Sequence, residues 1–370
     1  MSINPMFNEN AFKLGLWRMN CEGGLCITEA PDRWTADWDD IQTVAQMADQ
    51  AGFELILPVA RWRGYGGKID NAALSYETLT QGAALAAATE HTAIFVTVHV
   101  ALVHPVFAAK AVATIDHVSH GRAGLNIVCG WNKEEFDMFG TELLDHDHRY
   151  DQGYEWYEIF TRLLTGERFD YTGKFYEIKD AYTKPVTLQR PRPVTMSAGG
   201  SLAGRAFASK AADFLFTVPK DLVHARQLVR EIKAGADAVN RHTDIFGISH
   251  VVCRETQKEA EEFYDYYAVE HADVEAIDNW VGAKQATSQS MPTEVFQERR
   301  RIAGGHGSLP IIGSPDKVAD DILALQKAGL AGTTISLFNF KQELPFFIDR
   351  VMPLLEQSGI RGPNIMGSPV

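Results

Sequence analysis

Residues 120–136 read H-G-R-A-G-L-N-I-V-C-G-W-N-K-E-E-F. One amide, Asn126, interrupts the apolar run from Ala123 to Cys129; Gly130, Trp131 and the charged residues up to Glu135 follow it. A buried amide needs hydrogen-bond partners, so the pattern fits a strand whose end floors a binding site. A core strand running into a solvated helix start is the plainer reading. Ala198-Gly199-Gly200-Ser201 opens a helix-length segment. Its backbone N–H groups and hydroxyl suit a phosphate, although serine there is also ordinary helix capping. Thr97 and His99 sit in the apolar run Ala93–Val100, and Ser249 and His250 sit in Phe246–Cys253. After Phe53–Leu57 comes P-V-A-R-W-R-G-Y-G-G-K, residues 58–68.

These groups are amides, aromatics and histidines rather than a nucleophile with its base. No G-x-S-x-G occurs, and His146-Asp147-His148 beside Asp145 lacks the H-x-x-x-H spacing that sets two ligands on one helix face. No metal site is assigned. A phosphate clamp, aromatic walls and few acids or bases suit a site where a bound cofactor does the hard chemistry.

The elements that must position these residues alternate between apolar runs of strand length and amphipathic segments of helix length. The spacing predicts eight strands: Phe12–Trp17, Phe53–Leu57, Ala93–Val100, Ala123–Cys129, Val194–Ser197, Phe214–Thr217, Phe246–Cys253 and Thr333–Phe338. Helices separate nearly all of them; in Trp38–Ala51, Ile41, Val44, Ala45 and Ala48 share one face. Such alternation predicts parallel strands joined by right-handed crossovers. Eight repeats favour a closed (β/α)8 TIM barrel over a doubly wound open sheet. The open sheet would be helped by G-x-G-x-x-G after the first strand, and only Glu22-Gly23-Gly24-Leu25 stands there. A single domain over 1–370 is expected, with the active site at the carboxyl ends of the strands. Two insertions interrupt the repeat. Residues 167–178 read as a β-hairpin around Thr172-Gly173. Residues 272–310, polar and glycine-containing, read as a lid loop that could close over the barrel mouth. The helix before the hairpin is expected over Gln152–Thr165.

The formal net charge is −13 and the isoelectric point about 5.4. Nucleic-acid binding needs clustered cations; the longest basic run is Arg299-Arg300-Arg301, which reads as a solvated helix face. The four cysteines, Cys21, Cys26, Cys129 and Cys253, form no C-x-x-C pair. Met1–Asn10 lacks the basic and apolar regions of a signal peptide, and no apolar run approaches the ~20 residues of a membrane span. A cytoplasmic protein without nucleic-acid or membrane partners is expected.

Several pieces together resemble the luciferase-like family of flavin-dependent monooxygenases. They are R-G-Y-G-G-K (63–68), A-T-I-D-H-V-S-H-G-R-A-G-L-N-I-V-C-G-W-N-K-E-E-F (113–136), H-D-H-R-Y (146–150), S-A-G-G-S (197–201) and I-G-S-P-D-K-V-A (312–319). The branch they match best holds the pyrimidine ring-opening and dimethylsulfone monooxygenases, with the alkanesulfonate enzymes nearby. The resemblance implies a TIM barrel that takes reduced FMN from a separate NAD(P)H:flavin reductase and uses dioxygen as co-substrate. It implies that Thr97 and Asn126 line the dioxygen pocket and orient dioxygen by hydrogen bonds, and that Trp131 walls the site. His250 would donate a proton or a hydrogen bond, or serve as core packing. Ala60, Arg61, Asn126 and Glu135 would contact the flavin, with Arg149, Tyr150, Gly199, Gly200 and Ser201 at its phosphate end. A homodimer or homotetramer is implied as well. The implied reaction cleaves a C–N, C–S or C–halogen bond in a small polar, pyrimidine-like or sulfone-like molecule. A deazaflavin-dependent oxidoreductase, a flavin-degrading enzyme and a non-catalytic flavin-binding protein are the alternatives on the same barrel. One departure bears on substrate: where the alkanesulfonate enzymes carry an arginine, this chain has Ile248, leaving Arg61, Arg63 or Arg299–Arg301 as substitute cations.

Overall fold

The computed structural model describes residues 4–287 and 293–363. Among the described residues eleven strands run in chain order: β1 Lys13–Trp17, β2 Leu55–Leu57, β3 Ala93–His99, β4 Ala123–Val128, β5 Phe169–Thr172, β6 Glu177–Ala181, β7 Val194–Ser197, β8 Phe214–Thr217, β9 Asp244–Cys253, β10 Leu309–Gly313 and β11 Gly332–Ser336. Eight of them close on themselves in the order β1-β2-β3-β4-β7-β8-β9-β11 and back to β1, every pair parallel. This is the expected TIM barrel with its helices outside. β3 is buried at every position, as a strand covered on both faces must be, and so reads as one unbroken apolar run.

Inward-facing residues alternate along each strand and fill the barrel in layers. Leu55, Phe95, Met196, Phe214 and Phe246 pack together inside. Gly124 makes room for one of them, since a Cβ there would lie 2.6 Å from the Phe95 ring. One layer higher, the same alternation brings Thr97, Asn126, Phe216 and Ile248 to the mouth.

Three expectations change in detail. The hairpin is present as β5 and β6, but its turn lies at Gly173–Tyr176, closed by Gly173 N–H donating to Tyr176 O at 2.9 Å. The helix expected from Gln152 begins at His146 and runs to Thr165. A buried arginine, Arg149, occupies the first core position of its stripe and masks the apolar period that Gly153, Trp156 and Phe160 continue.

The third change is larger. The expected lid loop is mostly built structure: helix Val274–Thr287, a 3-10 turn at Thr293–Gln297, helix Arg299–Gly305 and strand β10. Residues 288–292 of it lie outside the described residues. β10 pairs with Ser249–Cys253, the upper half of β9, above the stretch that β8 uses. The contact surfaces here are small residues such as Ala276, Ala303, Gly304 and Gly305, which carry little hydropathy signal. Trp280, Ile277, Tyr264, Tyr267 and Ile302 gather around them in a second core cluster. Among the described residues no helix is long and apolar enough to cross a membrane.

Candidate active site

A cavity, open at its mouth, stands over the carboxyl ends of the strands. It collects Thr97 and His99 from β3, Asn126 from β4, Ala60 and Arg61 after β2, Trp131 after β4, and Gly199 and Gly200 after β7. Trp280, Lys284, His306 and Ser308 reach it from the inserted segment, and Arg18 from the end of β1.

Thr97 and Asn126 form one unit. The Thr97 hydroxyl donates to Pro58 O at 2.6 Å, and Asn126 Nδ2 donates to Thr97 Oγ1 at 3.1 Å. A carbonyl can only accept, so the hydroxyl proton of Thr97 is committed to Pro58. Thr97 therefore orients the amide and has no proton left for a ligand, which changes the expectation that it donates to dioxygen. The network also fixes the amide's orientation, and Asn126 Oδ1 is left buried without a partner among the described residues.

Arg61 and Glu135 are coupled. Arg61 Nε lies 2.8 Å from Glu135 Oε1, Arg61 Nη2 is 3.2 Å from Oε2, and Trp62 N–H donates to Oε1 at 2.9 Å. Glu135 is fully buried and does not line the cavity; it reaches the site only through Arg61. Its place in the first turn of helix Lys133–Met138, capped by Asn132, suits a carboxylate. Trp131 lies between two cations, with the Arg61 guanidinium 5.1 Å and Lys284 Nζ 3.6 Å from its ring centre.

The opposite side carries the helix start. Ser201 Oγ caps helix Leu202–Ala211 by accepting from Gly204 N–H at 3.1 Å, and Tyr150 Oη lies 3.4 Å from Ser201 Oγ. Gly199 and Gly204 touch backbone to backbone: a Cβ on Gly199 would come within 2.8 Å of Gly204 Cα. Glycine is thus required where the loop presses on the first helical turn. Gly199 and Gly200 line the cavity, whereas Ser201, Tyr150 and Arg149 stand behind them. Arg149 Nη1 donates to Gly130 O at 2.7 Å and so holds the turn after β4.

His250 does not reach the cavity. It is buried beside Tyr264 and Tyr267, its Nε2 2.5 Å from Tyr267 Oη and 4.0 Å from Cys26 Sγ. Burial lowers its pKa to about 3. Of the two roles expected of His250, its placement is that of a core histidine, with Tyr264 and Tyr267 packed against its ring. Of the substitute cations Arg61 lines the cavity, paired with Glu135, and the others do not line it. Arg63 pairs with Glu134 at the surface, Arg299 with Asp278, and Arg300 with Glu261 and Asp265. Arg301 is not solvated: it is buried and donates to the carbonyls of Pro219, Lys220, Gly307 and Ser308.

Arg18, Lys284 and His306 were not singled out by the sequence. Arg18 follows β1 directly, so the rule that active residues stand at strand ends could have found it. Lys284 and His306 were hidden in the segment read as a loop. His306 Nδ1 lies 2.6 Å from Leu25 O and must donate there. Burial first, then Arg18, holds its pKa well below the ordinary value. It is therefore neutral, and its Nε2 is an acceptor buried without a partner among the described residues. Burial, then Arg61 and Lys284, lowers the His99 pKa to about 3, so this imidazole is neutral as well.

The donor set fits a flavin. The wall is aromatic and apolar, buried Asn126 Oδ1 is an acceptor in want of a donor, and the glycine-lined helix start suits a phosphate. The FMNH2-dependent dimethylsulfone monooxygenase of Pseudomonas putida is 31% identical, over 93% of this chain and 95% of its own length. The pyrimidine monooxygenase RutA of Acinetobacter baylyi is 27% identical, over 93% of this chain and 94% of its own. The crystal structure of the long-chain alkane monooxygenase LadA superposes with a TM-score of 0.83 at 22% identity, covering 95% of this chain and 92% of that one, a likeness of fold. The sequence model of the Luciferase-like monooxygenase family matches residues 13–332, and the chain belongs to that family, as a monooxygenase on a TIM barrel.

Proposed function

We propose that this chain is the oxygenase of a two-component system, using reduced FMN from a separate NAD(P)H:flavin reductase and dioxygen to cleave a C–N, C–S or C–halogen bond in a small polar molecule. The observation that carries the flavin is the Asn126 amide, oriented by Thr97 and left with an unpartnered Oδ1 on the cavity wall. Two relatives point the same way, being named for FMNH2-dependent attack on a sulfone and for a pyrimidine.

Reduced FMN, when bound, supplies the electron pair for oxygen activation. The protein's part is placement. Gly199, Gly200 and the start of helix Leu202–Ala211 would hold the phosphate, with Tyr150 and Ser201 closing its far side. Asn126 would accept from a ring N–H, and its remaining amide proton would be free for an oxygen atom. Ala60 and Arg61 would lie along the ring, and Trp131, Trp280 and Tyr65 would keep water from it. Glu135 would act through Arg61, as a positioning residue. Assembly as a homodimer or homotetramer and a cytoplasmic setting are part of this proposal.

The test mixes photoreduced FMN with protein in aerated buffer and follows flavin absorbance. Wild-type protein is expected to change the rate of flavin reoxidation, and Asn126→Ala to return it to the rate of free FMN. Reoxidation identical to free flavin in wild type, together with tight binding of a deazaflavin, would overturn the proposal in favour of a hydride-transferring enzyme.

A further inference from the structure

Two cations face this cavity without a counter-ion among the described residues. Arg18 is 3% exposed. Among the described residues it has no carboxylate partner; its Nη2 meets only Cys21 Sγ at 3.9 Å, and its Nε is buried without a hydrogen bond. The Cys21 thiol offers no compensating charge, because burial raises its pKa. Arg18 also has φ +66°, a left-handed conformation that a non-glycine residue holds only where its surroundings enforce it. Lys284, on helix Val274–Thr287, meets only the Trp131 ring among the described residues. Arg61 differs from both, since Glu135 neutralises it. Leaving a buried guanidinium unpaired is strongly unfavourable, so the cavity is built for an anion.

That anion is not the phosphate at Gly199–Ser201. In the closed barrel β1 has three strands between it and β7 on either side. Arg18 and the helix start after β7 therefore stand on opposite sides of the mouth. Around Arg18 and Lys284 lie the flat walls of Trp131, Trp280 and Tyr65, and the bare acceptor His306 Nε2.

We propose that Arg18 and Lys284 form a subsite for an organic oxyanion, the carboxylate or sulfonate-type head of a small substrate whose flat or apolar body packs on Trp131, Trp280 and Tyr65. This deepens the monooxygenase proposal and rests on it for the word substrate. Ile248 leaves β9 without a cation, and Arg18, one strand away at the end of β1 with β11 between, supplies positive charge together with Lys284. His306 Nε2 adds a preference for an anion that also carries an N–H or O–H donor.

The test is direct binding, read by tryptophan fluorescence and calorimetry, with and without FMN. The probes are benzoate and benzenesulfonate against their neutral isosteres benzamide and benzenesulfonamide; the relative strength of the two anions separates the two head groups. Both anions are expected to bind at least about tenfold tighter than the neutral partners, Lys284→Met to lose about tenfold in anion affinity, and Lys284→Arg to retain it. Arg18→Gln should lose more; should it fail to fold, the Lys284 pair decides. Equal binding of anion and isostere, or no effect of Lys284→Met, overturns the proposal. So does a third result, in which no probe binds and Lys284→Met shifts the reduction potential of bound FMN, since the cations would then serve the flavin ring. FMN binding is measured separately: anion binding without FMN binding would leave the subsite and remove the flavin reading.

Discussion

Lys284 brings a titrating charge to the barrel mouth. Burial, reinforced by Arg61 and Arg18 and opposed by Glu135, lowers its pKa to about 7. His306 and His99 also face it, but both are neutral and add no charge. The sign follows from linkage. The unfolded chain keeps the lysine proton up to about 10.5, so the folded state gains stability from this group at high pH and loses it as pH falls through about 7. An oxyanion reverses the preference, because it binds the protonated ammonium. Benzoate affinity should therefore fall severalfold between roughly pH 6 and pH 8. Lys284→Arg, charged throughout, should flatten that profile. A flat wild-type profile over the same range would show that Lys284 is not the titrating group.

Among the elements, the inserted helices explain motifs that strand-end reasoning leaves idle. R-G-Y-G-G-K is a dock for helix Val274–Thr287. Asn279 Nδ2 donates to Tyr65 O at 2.9 Å, and Asp273 Oδ2 accepts from Ile69 N–H at 3.1 Å. Gly67 has φ +74°, and a Cβ on it would lie 2.5 Å from Asp273 Oδ1, so glycine is required for the dock to close. Arg301 fastens the next helix, Arg299–Gly305, to the loop after β8 through the carbonyls of Pro219 and Lys220, and to the turn that follows its own helix through those of Gly307 and Ser308. Arg301→Met, which keeps the stem and removes these donors, should cost about 3 kcal/mol. Because His306 and Ser308 follow directly, anion affinity should fall with it. A melting temperature unchanged from wild type would show that the helix is held by packing alone.

Across the whole molecule, chemistry and stability lie at opposite ends of the barrel. At the amino ends of the strands Arg361 and Glu54 form a buried ion pair at 2.7 Å. Arg361 also donates to Phe12 O and Gly52 O, and Glu54 accepts from Leu14 N–H. These contacts join the last described segment to the entries of β1 and β2. Removing one member of a buried pair strands the other's charge, so Arg361→Met should cost about 3–5 kcal/mol. Its affinity for FMN and for benzoate at a temperature where it remains folded should match wild type. A loss of ligand affinity would mean that the two ends are coupled through the strands.

The eight strands of the barrel were legible because parallel strands buried on both faces must be apolar throughout, and the helices between them must carry one apolar stripe. Asn126 was legible for the same reason, as the polar exception in such a run. The glycines at 199 and 200 were legible as a helix entry. Packing against later elements decided the rest. His250 has the right residue type at the right strand end, yet Tyr264, Tyr267 and Gly305 of later elements cover it. β10 and its neighbouring helices bury small side chains, which leave little hydropathy pattern. Charge pairing depends wholly on tertiary structure: Arg61 and Arg18 are the same residue type in sequence, and only the folded chain gives one of them Glu135 and leaves the other, among the described residues, facing the cavity without a carboxylate.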